Sequence, residues 1–468
     1  MKKRVILISS FLIFTTSCSS DLLNTSPEVD KVTTDFYKDA AQIEQGVNAV
    51  YGTLQYRGLY ELGIPSIGEI PSDNTFDEVP ANDGFTWGEL DYFTVQPKNS
   101  LIGDIWRHSY VGIQQANIIL NRIDKIPDMP AATKNARIGE MRFIRALLYF
   151  NLVRIYGDVP LVKEETTNVN SYFGQGRTPA ADVYNFIQAE LIEAVNLLPQ
   201  NSPQKGRATK GAALGILGKV QLTQKNYSGA LSTLKQIESL NYSLLNDATK
   251  IFDVSNKNNS EIIFDVQFAS GINGNSEGSN AFQQFSPSGT VSGAKGHNLP
   301  TREIYNLYQA GDKRRDAYIG LTSSGIPYSK KLVKTSNTIA DGGNNWVVLR
   351  LADVYLMIAE SAAEVSDFST ANLYLNKIKT RAGVSAVALN SKDALLSEIE
   401  KERRLELIGE GHRWFDLVRT GKALSVMTNH FNNTPGYSTA KISEHNLLMP
   451  IPQSQINTDS AIKQNPGY

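Results

Sequence analysis

Residues 218–239, GKVQLTQKNYSGALSTLKQIES, match residues 359–380, AESAAEVSDFSTANLYLNKIKT, position by position. In this alignment small residues fall on small residues and large apolar residues on large ones: Gly218 on Ala359, Tyr227 on Phe368, Ala230 on Ala371, Leu234 on Leu375 and Ile237 on Ile378. Apolar residues three or four positions apart share one face of a helix. Each segment therefore predicts two packed helices, in which the small residue permits close approach and the large residues fill the seam.

This pattern of small and large residues is typical of a tetratricopeptide-type helical hairpin, a unit that stacks on its neighbours. The spacing of a second helix of this kind also occurs at Tyr184, Ile187, Leu191, Ala194 and Pro199. We expect hairpins near 136–200, 209–240 and 348–382. The alternative is three unrelated amphipathic hairpins.

Helical periodicity extends over most of the remaining chain. The densest segment, ARIGEMRFIRALLYFNLVRIYG (136–157), has a broad apolar stripe and a stop signal in Gly157 followed by Pro160. Further helices are predicted over 36–54, 105–123, 180–198, 209–224, 227–239, 348–365, 369–382 and 393–418.

Two regions interrupt this helical pattern. Residues 58–100 are rich in Gly, Pro, Asp and Asn, and residues 251–347 contain a β-like run, EIIFDVQF (261–268), before a Gly/Ser/Asn-rich stretch. Loops of this length within a compact protein are usually functional or disordered. The predicted fold is all-α, a tetratricopeptide-like scaffold of helical hairpins with long irregular loop insertions and minor β structure.

The N-terminus predicts an export signal. Lys2, Lys3 and Arg4 precede an apolar run over 5–14 that is too short to span a bilayer, and Cys18, the only cysteine, follows. The sequence predicts a lipoprotein signal peptide over 1–17, lipid attachment at Cys18 and a polar tether over 18–35. Ordinary cleavage that leaves an unmodified thiol is the alternative.

The overall charge is close to neutral. The chain has 46 Lys and Arg against 47 Asp and Glu. Removal of residues 1–17 takes away three basic residues and leaves 46 − 3 = 43 against 47 acidic residues, a balance of −4. Such a chain lacks the basic patches that nucleic-acid binding requires, so no nucleic-acid partner is expected.

Most sequence signatures of catalysis are absent. The five histidines have no zinc-binding spacing, and there is no nucleophile elbow or phosphate-binding glycine loop. Glu402, Glu406 and Glu410 share one helix face, but they alternate with basic residues, which predicts ion-paired helix surface rather than a glycosidase pair. We predict no enzyme activity and no cofactor, and leave a structural metal ion open.

Aromatic residues in the polar loops suggest a sugar site. The first loop carries Phe76, Phe85, Trp87, Tyr92 and Phe93 among Asp and Asn residues. A sugar ring has an apolar C–H face and a hydroxyl edge, so it binds a flat aromatic ring beside polar side chains. The candidate ligand-binding residues are Asp73, Asn74, Trp87, Tyr92, Asn99, Phe282, His297, Tyr328 and Trp346. For each aromatic residue the alternative is packing against the scaffold.

Several longer motifs are shared with a known family: WRHSYVGIQQAN (106–117), GEMRFIRALLYFNLVRIYGDVPLV (139–162), LRLADVYLMIAESAAE (349–364), IEKERRLELIGEGHRWFDLVRTGK (399–422) and the segment from LLMPIPQSQI to QNPGY (447–468). With the lipoprotein-like start, these motifs resemble the SusD/RagB family of surface glycan-binding lipoproteins over the whole mature chain. The resemblance implies one SusD-like domain over 36–468, and an all-α fold that binds oligosaccharides without cleaving them.

The resemblance also implies a location and a partner. Family members sit on the outer membrane as a lid over a TonB-dependent, SusC-like transporter and deliver glycan to it. The shared residues are expected in the scaffold: Arg350, Asp353, Arg403, Arg404, Glu406, Arg413, Trp414 and Asp416. The family's glycan contacts come from variable loops, so no ligand residue is transferred by motif. The rival function is a lipid-anchored, tetratricopeptide-type module that binds peptides or proteins at the outer membrane.

Overall fold

The computed structural model describes residues 36–168, 170–271 and 277–468. The predicted signal peptide (1–17), Cys18 and the tether (18–35) lie outside these residues, so they stay predictions.

Helices dominate the described part of the chain. The α-helices of its first half are α1 (Ala40–Thr53), α2 (Gly63–Ile67), α3 (Gly88–Asp91), α4 (Ser100–Arg122), α5 (Ala131–Tyr156), α6 (Ala180–Leu197), α7 (Lys210–Thr223) and α8 (Tyr227–Lys235). Those of its second half are α9 (Ala281–Gln284), α10 (Arg302–Leu307), α11 (Lys313–Tyr318), α12 (Leu351–Glu364), α13 (Phe368–Ala382), α14 (Lys392–Leu407), α15 (Arg413–Arg419), α16 (Ala423–Asn433) and α17 (Gln453–Thr458). The predicted all-α fold is confirmed.

Strands are short and pair in antiparallel twos. The pairs are β1 (Thr75–Phe76) with β3 (Leu299–Pro300), β2 (Ile262–Val266) with β6 (Trp346–Arg350), and β4 (Ile319–Leu321) with β5 (Pro327–Ser329). The predicted β-like run is β2. Its partner β6 was not expected, and it moves the start of the helix predicted at 348 to Leu351.

The predicted hairpins are the pairs α5–α6, α7–α8 and α12–α13, and α8 also packs against α12. A Cβ atom on Gly218 would overlap the side chain of Leu234. The equivalent residues of the second unit, Ala359 and Leu375, are fully buried. The small residue in each first helix therefore sets how closely the second helix packs, as the sequence alignment indicated.

The helix predicted over 393–418 is wrong in one respect, because it is divided into α14 and α15. Between them Gly409 and Gly411 have φ of 73° and 85°, a left-handed conformation that ends a helix and favours glycine. A Cβ atom on Gly68 would overlap the backbone of Gly411, so the two chain segments meet closely here. Glu69 accepts hydrogen bonds from the N–H groups of Gly411 (3.0 Å) and His412 (3.1 Å) and holds the break in place.

The three glutamates of α14 and the following turn are ion-paired, but not on the surface as predicted. Glu402, Glu406 and Glu410 are buried, and their partners come from other elements. Arg350 at the end of β6 donates to Glu406 at 2.7 Å and to Glu410 at 2.8 Å. Arg314 of α11 donates to Glu402 at 2.7 Å. Such a buried network is costly to break one member at a time, which fits the scaffold role that the family resemblance implies for Arg350 and Glu406.

Candidate functional site

The two irregular regions of the sequence meet in space. The backbone N–H of Glu78 donates to the carbonyl of Gly296 at 2.9 Å, and the Glu78 carboxylate accepts from the N–H of Ser288 at 2.7 Å. The Lys295 ammonium donates to the Asp83 carboxylate at 2.8 Å. Residues 78–92 and 286–297, with residues 430–437 beside them, form one surface that we call the loop face.

An aromatic stack emerges on the loop face. Phe85 is 36% exposed, and its ring centroid lies 6.1 Å from that of the half-buried Tyr92. Tyr92 stacks on Tyr437 at 5.2 Å and 29° between ring planes, and Tyr437 stacks in turn on Phe431 at 5.4 Å and 25°. The exposed end of the stack is therefore supported by rings that continue into the core.

The backbone that presents Phe85 is strained. Asp83, Gly84 and Phe85 have φ of 52°, 67° and 66°, which places two non-glycine residues in the left-handed region. Such conformations persist only where the surroundings hold them, and they cluster at functional sites. Asp83 stabilises this conformation. Its carboxylate is hydrogen-bonded to Lys295 and His297, and its backbone carbonyl accepts from the Thr86 hydroxyl at 2.8 Å.

A buried hydrogen-bond network that contains His297, Asp77, Asp91 and Tyr437 lies under the loop of Asp83 to Phe85. His297 stacks on Trp87 with ring centroids 4.6 Å apart, and its Nδ1 lies 2.9 Å from Oδ1 of Asp77. The Asp77 N–H donates to Asp91 at 3.1 Å, and the Tyr437 hydroxyl donates to Asp91 at 2.7 Å. Burial raises the pKa of Asp91 to about 7 despite these hydrogen bonds. The same network thus connects the loop to the aromatic stack.

Three of the aromatic residues predicted to contact a ligand are buried, so these predictions are wrong. Trp87 and His297 are 0% exposed, and Trp346 is 6% exposed. Trp346 belongs to β6 and packs edge-on against Phe285 with centroids 6.4 Å apart. A ring with so little accessible surface cannot serve as a sugar platform in this conformation. These rings support the loops from below, which was the packing alternative.

Three predicted polar contacts are likewise used by the scaffold. Asp73 is ion-paired with Arg413, and Asn74 accepts from Nε of Arg404 at 2.9 Å. Asn99 caps α4, where its Oδ1 accepts from the N–H of Leu101 at 3.0 Å. All three candidates are buried, which corrects the expectation that they face a ligand.

The remaining candidates, Tyr92, Phe282 and Tyr328, are half-buried. Tyr92 lies in the aromatic stack, while Phe282 belongs to α9 and Tyr328 lies in β5 with its ring over Gly320. Their contacts with a ligand stay a prediction. The stack also contains Tyr437, which the sequence analysis missed. Its setting, NNTPGYST (432–439), is another polar turn with an aromatic residue and carried the same signal.

A second concave feature is a cavity of about 250 Å³ bordered by α8, α12, α14 and α15. Its arginines are ion-paired: Arg403 with Asp416 at 2.9 Å, and Arg413 with Glu400 at 2.9 Å. These pairs belong to the scaffold motif, so the cavity has less to offer a ligand than the exposed stack.

The described residues contain neither a metal-binding cluster nor a membrane-spanning helix. Within 36–168, 170–271 and 277–468, no group of three or more His, Cys, Asp or Glu residues is arranged to hold a metal ion. Over the same ranges, no helix combines the length and the apolar character needed to cross a membrane.

Comparison with known proteins gives consistent matches. A family model described as "SusD family" matches residues 316–468, and one described as "Starch-binding associating with outer membrane" matches residues 21–222. A SusD-like protein of Formosa agariphila is 26% identical over the full length of both chains. The starch-binding protein SusD of Bacteroides thetaiotaomicron is 24% identical, with 76% of each chain covered.

Solved structures agree with these sequence matches. A laminarin-binding SusD-like protein has a TM-score of 0.80 at 28% identity, and the match covers 92% of this chain and 100% of the other. Surface glycan-binding protein A of Bacteroides thetaiotaomicron, solved with laminarihexaose, has a TM-score of 0.79 at 23% identity, with 91% and 99% of the two chains covered. At 23% identity, the similarity to surface glycan-binding protein A shows only that the two proteins share a fold.

Proposed function

This chain belongs to the SusD/RagB family, and from that premise we propose that it binds glycan on the loop face without cleaving it. The observation that carries the site assignment is the exposed ring of Phe85 beside Tyr92 and Tyr437. An aromatic face accommodates the C–H face of a sugar. The charged groups of Asp83 and Lys295 are each more than a third exposed at its side, where they would meet sugar hydroxyl groups.

We propose a β-glucan of the laminarin type as the first ligand to test. The support is the solved SusD-like protein that binds laminarin, which shares the fold and 28% of the aligned residues with this chain. Starch-type α-glucan is the comparison ligand, because the relative at 24% identity is a starch-binding protein.

The family and the N-terminal sequence support a proposal for the location and partner of this protein. We propose a lipid anchor at Cys18, a position on the outer membrane with the loop face exposed at the cell surface, and transfer of bound glycan to a TonB-dependent, SusC-like transporter. The family description that names association with the outer membrane supports this location.

Isothermal titration calorimetry with laminarin and malto-oligosaccharides tests the function and the site together. We expect Phe85→Ala and Tyr92→Ala each to weaken binding about tenfold, since a stacking contact contributes about 1 kcal/mol or more. Tyr56→Ala is the matched control, because Tyr56 is 39% exposed but lies outside the loop face.

Three outcomes contradict this proposal. Binding of peptides with no binding to any glucan would support the rival function as a peptide-binding module. Equal losses of affinity in Tyr56→Ala and Phe85→Ala would show that the glycan does not bind at the loop face. Release of reducing sugar by the purified protein would contradict the absence of catalysis.

A further inference from the structure

His297 has a carboxylate oxygen against each ring nitrogen. Nδ1 lies 2.9 Å from Oδ1 of Asp77, and Nε2 lies 3.2 Å from Oδ2 of Asp83. An ionised carboxylate only accepts hydrogen bonds, and a neutral imidazole has one N–H. Both contacts are hydrogen bonds only if the ring carries a proton on each nitrogen, or if a carboxyl group supplies the second proton.

The surroundings favour the first of these two arrangements. Oδ1 of Asp77 also accepts from the N–H of Val79 at 3.3 Å, a second accepted hydrogen bond that suits an ionised carboxylate. The Lys295 ammonium is bonded to the other oxygen of Asp83, and with His297 it lowers the pKa of that carboxyl. The stacked indole of Trp87 offers its π-face to a positive ring.

The charged groups around His297 come from four segments. Asp77 follows β1, Asp83 belongs to the strained loop, and Asp91 of α3 lies behind Asp77. The carboxylate of Glu78 lies beside Gly296, and Lys295 is the nearby cation. Acidic groups therefore outnumber basic ones around the ring, and two of them contact its nitrogens.

We propose that His297 is a positioning residue for the loop 82–86: its second ring proton holds Asp83, and through Asp83 it holds Phe85 in the left-handed conformation that presents the ring. The proposal rests on the proposed function in one point only, that Phe85 contacts glycan. When the ring loses that proton, only one of its nitrogens still donates. The contact with the partly exposed Asp83 is lost before the contact with the fully buried Asp77, and the loop becomes less ordered.

The test follows Trp87 and the loop in the absence of ligand. Protein labelled with 5-fluorotryptophan is titrated from about pH 5 to 8.5, and the 19F resonance of Trp87 is identified by its loss in Trp87→Phe. The pKa of Asp91 is raised to about 7 and its N–H donates to the carbonyl of Trp87, so its titration adds the same inflection to every variant. We expect a further inflection in the wild type that is missing in His297→Gln, and the wild-type curve in His108→Gln, the control at a histidine on α4. Amide-exchange protection factors for 82–86, corrected for the intrinsic pH dependence, should fall about tenfold above the inflection, the effect of losing one charge-assisted hydrogen bond.

Asp83→Asn is the second variant and serves if His297→Gln does not fold, since Asp83 is partly exposed. It should lower protection of the loop at every pH and remove the pH dependence. A Trp87 resonance that does not titrate, or titrates equally in His297→Gln, overturns the proposal.

Calorimetry with laminarin at both ends of the pH range separates the two claims. Weaker binding at high pH in the wild type, absent in His297→Gln, supports the positioning role. A titrating loop with pH-independent affinity overturns that role and leaves glycan binding intact. No laminarin binding at either pH contradicts the proposed ligand, and the protection factors then decide whether His297 holds the loop.

Discussion

The Asp73 carboxylate receives two hydrogen bonds from the Arg413 guanidinium, with Nε 2.7 Å from Oδ1 and Nη2 3.0 Å from Oδ2. Arg404 lies 2.8 Å from the same Oδ2. Burial alone would raise the pKa of Asp73, but the two guanidinium groups outweigh it and lower that pKa. One carboxylate thus ties the first loop region to α14 and α15.

Asp73→Asn should therefore destabilise the protein without acting on glycan contacts. Removal of one partner from a buried ion pair typically costs about 3–5 kcal/mol, because the remaining charge stays buried. Urea unfolding followed by circular dichroism measures the loss.

Asp104→Asn is the control for Asp73→Asn, since Asp104 pairs with the more exposed Arg57 and Arg107 and should cost no more than about 1 kcal/mol. Similar losses in the two variants would contradict the distinction between buried and surface pairs.

We expect substitutions at two glycines, one at a helix–helix contact and one away from it, to change stability in opposite directions. Gly218→Ala places a methyl group against Leu234 and should cost about 1–3 kcal/mol through overpacking. The methyl group of Gly103→Ala in α4 meets no atom within 4 Å apart from its chain neighbours and the backbone of its own helix. This substitution should gain up to about 1 kcal/mol in unfolding free energy from helix propensity. Thermal unfolding of both variants checks the signs. A stabilised Gly218→Ala would mean that the small residue does not limit the approach of the helices.

Much of the scaffold was predictable, because helical periodicity and the pairing of small with large residues are local signals. The hairpin formed by α7 and α8 followed from the alignment of Gly218 with Ala359 and of Leu234 with Leu375. The division between α14 and α15 was not predicted. It depends on the approach of Gly68 to Gly411, a contact between residues far apart in the chain.

The site was predicted less well than the scaffold. The predicted ligand-binding residues lie in both loop regions, and the contact of Asp83 with Lys295 brings these regions together. It did not indicate which aromatic rings are exposed, because burial of Trp87 depends on His297, a residue from the other loop region. Exposure is a property of the assembled loops, whereas the periodicity of a helix is already present in its own segment.

The N-terminal prediction concerns residues outside the described structure. If Cys18 carries the lipid, a metabolic fatty-acid label should be incorporated into the wild-type protein and be absent from Cys18→Ala. The anchored form should fractionate with the outer membrane, since two or three acyl chains at about 0.8 kcal/mol per buried CH₂ bind stably. Equal labelling of both proteins would remove the basis for the lipid anchor.

Glu69 makes the free energy of unfolding depend on pH. Burial raises the pKa of this carboxyl to about 7, although the N–H groups of His412 and Gly411 both donate to its Oε1. In the unfolded chain a glutamate titrates near pH 4.3, about the reference value. Between these two pH values the folded protein holds a proton that the unfolded chain has released, so stability falls as pH rises through this window.

Glu69→Gln reproduces the protonated carboxyl, because the amide oxygen can accept from both N–H groups. Relative to the wild type, we expect the variant to gain on the order of 2–3 kcal/mol in unfolding free energy between about pH 4 and pH 8. The raised pKa of Asp91 contributes equally to both proteins and cancels in the difference. Urea unfolding at the two pH values measures the change, with Glu444→Gln as the exposed control. A difference that stays constant across the range would show that Glu69 is ionised in the folded protein even at the acidic end.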